Sequence, residues 1–325
     1  MDKLLQVNNL KKYFPIKSGF LGRVRQWVRA VDRVSFDIRP GETLGLVGES
    51  GCGKTTAGRS ILQLIEPTGG SVNFAGTELV GLSKRKMSRL RTKMQIIFQD
   101  PYSSLNPRRV VLDLVGEGLS EHGLVKNLNE KKEKVATILE KVGLSSQLLY
   151  RYPHEFSGGQ RQRLAIARAI SLEPELIVCD EPVSALDVSI QAQIINLLIK
   201  LRNELKIAYL FIAHDLAVVK HISNRIAVMY LGQIVETAPA DELFNEPLHP
   251  YTNALLSAIP VPDPEANKQR IILTGEIDNT LDYSKGCCFA SRCPVVMDIC
   301  RQQEPPVHYR NSEHFAKCFR AEQQL

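Results

Sequence analysis

Thr43-Leu44-Gly45-Leu46-Val47, followed at once by Gly48-Glu49-Ser50-Gly51-Cys52-Gly53-Lys54-Thr55-Thr56, decides the fold. The first five residues are apolar enough for a buried strand, and the next eight match G-x-x-x-x-G-K-[ST] in the context that pattern requires, after a strand and before a helix. Glycines let successive backbone N–H groups turn inward as an anion nest, and the helix N-terminus adds its partial positive charge. Lys54 would then reach the β- and γ-phosphates of a nucleotide, and the Thr55 hydroxyl would ligate Mg²⁺. An ordinary glycine-rich turn is the bland alternative, disfavoured by the flanking strand and helix.

Outward from this loop, short apolar strands alternate with helices. Leu4 to Leu10 and Val31 to Ile38 read as strands, separated by a segment with Gly19, Gly22, Arg23, Arg25 and Arg29 that reads as a surface loop. Met94 to Phe98, Leu176 to Cys179 and Ala208 to Ala213 read as further strands, with a helix over Ile190 to Leu205. Such alternation implies an α/β fold with a mostly parallel sheet covered on both faces. The Leu-, Glu- and Lys-rich stretch from about Val110 to Leu172 is helical and reads as an insertion. Lys84, Arg85, Lys86, Arg89 and Arg91 make a basic stretch, placed in a β-rich edge and given no ligand. Pro260 to Pro264 marks a linker, and a cysteine-bearing tail follows.

Composition excludes several classes. The 325 residues are 44% hydrophobic and 23% charged, as in soluble globular chains, and the longest apolar runs are too short to span a bilayer. No secretory signal is visible, which points to the cytoplasm. A net charge of +6 allows an anionic partner such as nucleotide or lipid headgroups without demanding nucleic acid.

Two more stretches suit phosphate chemistry. Leu176-Ile177-Val178-Cys179-Asp180-Glu181 is an apolar strand ending in two carboxylates that strand alternation points in different directions. Asp180 can hold Mg²⁺ while Glu181 orients or deprotonates the attacking water. Ser157-Gly158-Gly159-Gln160 precedes a helix with an apolar stripe, offering a cap and a second set of N–H donors. Taken singly, each has an ordinary structural explanation, a surface acid or a capped helix.

The ordered set of Gly48 to Thr55, Gln99, Ser157 to Gln160, Asp180-Glu181, Ser184 to Asp187 and His214 resembles the nucleotide-binding subunit of ATP-binding cassette (ABC) transporters, over roughly residues 1 to 260. The resemblance implies a P-loop NTPase (RecA-like) core, an antiparallel β subdomain, a helical subdomain at about 105–172, and a small Cys-containing C-terminal extension over 261–325. It also implies a head-to-tail dimer in which the signature loop of one subunit, Ser157 to Gln160, binds the γ-phosphate of ATP held by the other. Tyr13 would stack on adenine, Gln99 contact Mg²⁺ and sense the transporter, Asp187 shape the dimer seam, and His214 hold the γ-phosphate. Lys54, Gln99, Glu181 and His214 would thus serve catalysis. Phe156 stands where the family usually has Leu at the head of the signature.

The tail narrows the resemblance. Cys287, Cys293, Cys300 and Cys318 are spaced too widely for a usual zinc finger but can wrap a [4Fe–4S] cluster; zinc and plain reduced thiols stay open, and Cys288 is spare. Together with Lys12 to Pro15, Phe98 to Pro107 and Leu248 to Thr252, the tail is similar to that of the bacterial dipeptide/oligopeptide importer ATPases, some of which carry such a cluster. The implied partners are a second, different ATPase subunit, two membrane permeases and, indirectly, a substrate-binding protein, at the cytoplasmic face of the inner membrane. An importer of nickel or another metal chelate would share all these features. A cassette ATPase acting on ribosomes or DNA would show two cassettes or a long coiled coil, and neither is present.

Overall fold

The computed structural model describes residues 3–18, 23–100, 104–260, 270–275 and 286–324. Gly19 and Gly22, the Pro101 to Ser103 part of the Phe98–Pro107 stretch, and all of the expected linker beyond Pro260 lie outside the described residues. The chain forms two compact units, one of residues 4–37, 43–80 and 213–325, the other of residues 1–3, 38–42 and 81–212.

The first unit begins with an antiparallel sheet. Its strands β1 (Leu5–Ser18), β2 (Arg23–Ile38), β4 (Gly69–Phe74) and β5 (Thr77–Glu78) lie in the order β2-β1-β4-β5. The Arg-rich segment expected as a surface loop is therefore strand, where it is described. Val24, Trp27 and Val28 supply the β-branched and aromatic residues of a half-solvated strand, and the interleaved arginines hid that pattern. Within the same unit, β3 (Thr43–Val47) is buried at every residue, and it leads through the phosphate loop into the helix Lys54–Ile61.

In the other unit, β6 (Met94–Ile97) and β8 (Ala208–Ala213) flank β7 (Leu176–Asp180), all parallel. β7 and β8 are buried at every position, which is why both read as unbroken apolar runs rather than alternating ones. Helices Val111–Glu121, Leu128–Lys141 and Gly158–Ile170 fill the stretch between β6 and β7. The basic stretch assigned to a β edge is the helix Lys84–Arg91, with only Met87 buried. Met87 and Leu90 are too few to show a period among five cations.

Back in the first unit, β9 (Arg225–Tyr230) pairs parallel with β3, and β10 (Gln233–Pro239) turns back antiparallel on β9. The tail then adds two short antiparallel strands, β11 (Val307–Tyr309) and β12 (Phe315–Lys317), with Glu236 of β10 opposite Ala316.

Candidate nucleotide site

The phosphate loop owes its path to two close approaches. A Cβ on Gly48 would stand 2.1 Å from the Met229 carbonyl oxygen, and one on Gly53, whose φ is +108°, would stand 1.9 Å from that of Ala30. Only glycine fits either position. Gly53 is also the N-cap of Lys54–Ile61; no side chain caps this helix and its first turn holds no acid. The Lys54 side chain lies inside the loop, with the residue 4% exposed, and its Nζ donates to the carbonyls of Gly48 (2.8 Å) and Glu49 (3.0 Å). Such an uncapped helix start with a folded-in ammonium fits the phosphates of ATP. Ser50 and Gly51 are exposed at the tip, Thr55 and Thr56 are half-buried, and Cys52 is buried with its thiol pKa pushed up by desolvation.

Tyr13 projects from β1 with its hydroxyl donating to Asp32 Oδ1 at 2.6 Å, and the Arg29 guanidinium lies 5.9 Å from its ring centre. Burial, then the bond to Asp32, push its pKa up to about 12. His214 follows β8 and is exposed; the next residue, Asp215, accepts the Ala217 N–H at 2.8 Å and caps Leu216–Ile222.

The other unit gathers the second half of the expected set. Asp180 ends β7 at 1% exposure. Glu181 leaves the strand with φ +47°, a strained backbone for a non-glycine residue, held by its N–H on the Ile212 carbonyl (3.0 Å) and by Ser184 Oγ donating to its own carbonyl (3.1 Å). Gln99 Nε2 donates to Glu181 Oε2 at 3.0 Å, so the structure joins these two residues directly. Ser157 and Gln160 form a reciprocal capping box on Gly158–Ile170: Ser157 N–H donates to Gln160 Oε1 (3.0 Å) and Gln160 N–H to Ser157 Oγ (3.3 Å). A Cβ on Gly159 would stand 2.6 Å from Ile190 Cγ2, in the first turn of the helix that Asp187 caps by accepting Ile190 N–H at 3.0 Å. Phe156 is buried, directly before the capping box of Ser157 and Gln160.

In the tail, Cys287, Cys293, Cys300 and Cys318 line one small pocket together with His249, Phe289 and Phe319. All the cysteines are free thiols. Among the described residues, however, no group of three or more His, Cys, Asp or Glu side chains has the spacing of a metal site. The four expected ligands share the lining of one pocket without closing to the spacing of a metal site, and the buried Phe289 ring shares its walls. Cys288 is buried and outside that lining; its S–H···S bond to Cys287 pulls the Cys287 pKa down and pushes its own up.

Sequence reasoning missed four residues that hold the first unit's site and tail together. Glu49 and Arg292 form a two-pronged ion pair, and Glu236 and His314, both fully buried, lie 3.0 Å apart. Each pair is far apart along the chain, and no local spacing betrays it.

A family model for ABC transporters matches residues 31–184. An oligopeptide transport ATP-binding protein of Bacillus subtilis, AppF, is 49% identical over 320 residues, covering 98% of this chain and 97% of that protein. OppF of the same organism, also an oligopeptide transport ATP-binding protein, is 56% identical over 271 residues, 83% of this chain and 87% of that one. The chain belongs to the ATP-binding proteins of the ABC transporters. A second family model, the C-terminal region of oligopeptide/dipeptide transporters, matches residues 235–300 and places this ABC protein in the peptide branch. Among solved structures, the cassette MJ0796, in a dimeric post-hydrolysis state bound to ADP and phosphate, aligns with a TM-score of 0.64 at 27% identity, covering 73% of this chain and 98% of that one.

Proposed function

We infer that this ABC protein is the ATP-hydrolysing subunit of an importer that drives uptake of dipeptides and oligopeptides. The observation that carries the inference is the buried Lys54 ammonium inside a glycine loop at an uncapped helix N-terminus. In the proposed cycle, the loop N–H groups and Lys54 hold the β- and γ-phosphates, with Ser50, Gly51, Cys52 and Thr56 shaping the loop and Tyr13 against the base. Thr55, Asp180 and Gln99 are the proposed holders of Mg²⁺, which when bound neutralises charge on the phosphate oxygens. Glu181 takes the proton of the attacking water, and the Gln99 amide keeps its carboxylate oriented. His214 grips the γ-phosphate. Ser157, Gly158, Gly159 and Gln160 offer their helix start to the nucleotide of the partner subunit, and Asp187 shapes the seam.

The energetics suffice for a switch. Hydrogen bonds to charged groups are worth about 1.5 to 3 kcal/mol each, and moving a two-state equilibrium from 1:99 to 99:1 takes about 5.5 kcal/mol. Two or three bonds lost with the γ-phosphate at each site therefore reopen the dimer.

We place the dimer with a second, different cassette subunit beneath two permeases that receive cargo from a substrate-binding protein, peripheral at the cytoplasmic face of the inner membrane. Among the described residues no helix is long and apolar enough to cross a membrane. The four-thiol pocket is proposed to take a [4Fe–4S] cluster, supported by all four cysteines sharing its lining. Protein purified without oxygen should then be brown with visible absorbance; a colourless chain with titratable thiols would remove the cluster. For the ATPase reading, Lys54→Ala is expected to weaken ATP binding at least tenfold in a filter or calorimetric assay, and unchanged affinity would overturn it.

A further inference from the structure

Glu49 is an acid in a loop built to hold a polyanion. Left alone, its carboxylate would repel the phosphates the loop collects. It is not left alone: Arg292 of the tail meets it with both ends of its guanidinium, Nη1 at 2.7 Å from Oε2 and Nη2 at 3.2 Å from Oε1. The pair is sheltered, the Arg292 side chain being 9% exposed and that of Glu49 27%. Burial draws the guanidinium pKa down, but hydrogen bonding to Glu49 and Tyr230 outweighs it and keeps Arg292 charged. The backbone of Glu49 is anchored as well, its N–H donating to the Tyr251 hydroxyl at 2.9 Å. Tyr251 is fully buried, with the rings of Tyr230 and of the tail residue Phe289 centred 4.7 and 5.4 Å away.

We propose that Arg292 is a positioning residue for the nucleotide, cancelling the Glu49 charge and fixing the phosphate loop, so that the C-terminal tail is part of the ATP site. The proposal rests on Lys54 and its loop binding ATP, and it goes further: residues 243 positions along the chain set the affinity of that loop. It distinguishes an electrostatic role from a scaffolding one. If Arg292 serves to neutralise Glu49, removing the carboxylate should repair the loss of the guanidinium. If Arg292 serves only to brace the fold, removing both partners should do no better than removing one.

The test is the affinity of the full-length chain for the non-hydrolysed analogue AMP-PNP with Mg²⁺, by calorimetry. Arg292→Ala is expected to raise Kd roughly tenfold, and Arg292→Lys, a point charge without the fork, roughly threefold. Glu49→Gln in the Arg292→Ala background is expected to restore affinity to within about threefold of the unaltered chain. In the assembled transporter, Arg292→Ala should raise KM for ATP with kcat within about twofold. Wild-type affinity in Arg292→Ala, or no restoration by Glu49→Gln, would overturn the proposal. Should Arg292→Ala melt too low to titrate, Arg292→Lys with and without Glu49→Gln makes the same comparison. A wild-type chain that binds no AMP-PNP is a separate result, and it would count against the ATPase reading itself.

Discussion

Gly53 shows how tightly single residues define the phosphate loop. Its φ of +108° and the 1.9 Å that would separate a Cβ from the Ala30 carbonyl mean that alanine must both strain the backbone and push β2 away. Strained backbone alone costs on the order of 1 to 3 kcal/mol. Gly53→Ala is therefore expected to lower stability in urea by at least that much and to abolish ATP binding, whereas Gly51→Ala, with open space around its Cβ, should fold with a smaller loss despite its own positive φ. At this scale the sequence was readable where function demands fixed local spacing, as in Gly48 to Thr56 or Asp180-Glu181. It was silent on Glu49, whose partner Arg292 is 243 residues away and whose acidity only acquires meaning once that partner is in place.

Among the elements, helix caps separate structural from functional roles. Asn127 accepts the Glu130 N–H and caps Leu128–Lys141, as Ser157 accepts the Gln160 N–H and caps Gly158–Ile170. Replacing either cap by alanine should cost about 1 kcal/mol. Asn127→Ala is expected to leave ATP turnover of the assembled transporter intact, and Ser157→Ala to lower it more than that stability loss explains; equal turnover in both would reduce Ser157 to an ordinary cap. Elements buried on both faces, such as β3, β7 and β8, were legible as apolar runs. The Arg-rich β2 and the helix Lys84–Arg91 were not, because cations mask the period when an element buries one stripe and leaves the rest to solvent.

For the molecule as a whole, one buried carboxylate ties the tail to the rest of the unit that bears the phosphate loop, alongside the Glu49–Arg292 pair and the pairing of β12 with β10. Glu236 accepts the N–H groups of Leu248 (2.7 Å) and His249 (3.0 Å) and lies 3.0 Å from His314 Nε2, with Glu236 and His314 both fully buried. Glu236→Ala strands these backbone donors, and each buried donor left without an acceptor costs about 1 to 3 kcal/mol. Limited proteolysis should then cut within residues 286–324 of Glu236→Ala while the same stretch of the wild type resists; equal resistance would show that other contacts suffice. This junction was illegible in the sequence because β11 and β12 are three residues each, β12 finding its register on β10 and β11 on β12. In the proposed cycle ATP is held by the Lys54 loop and cleaved with Glu181 as base, closing and reopening a dimer of cassettes. The most direct test is Glu181→Gln in the assembled transporter, following phosphate release and retained nucleotide together. Turnover should fall by about 10² to 10⁴ with unhydrolysed ATP retained in a closed dimer; hydrolysis at the wild-type rate would rule out Glu181 as the base.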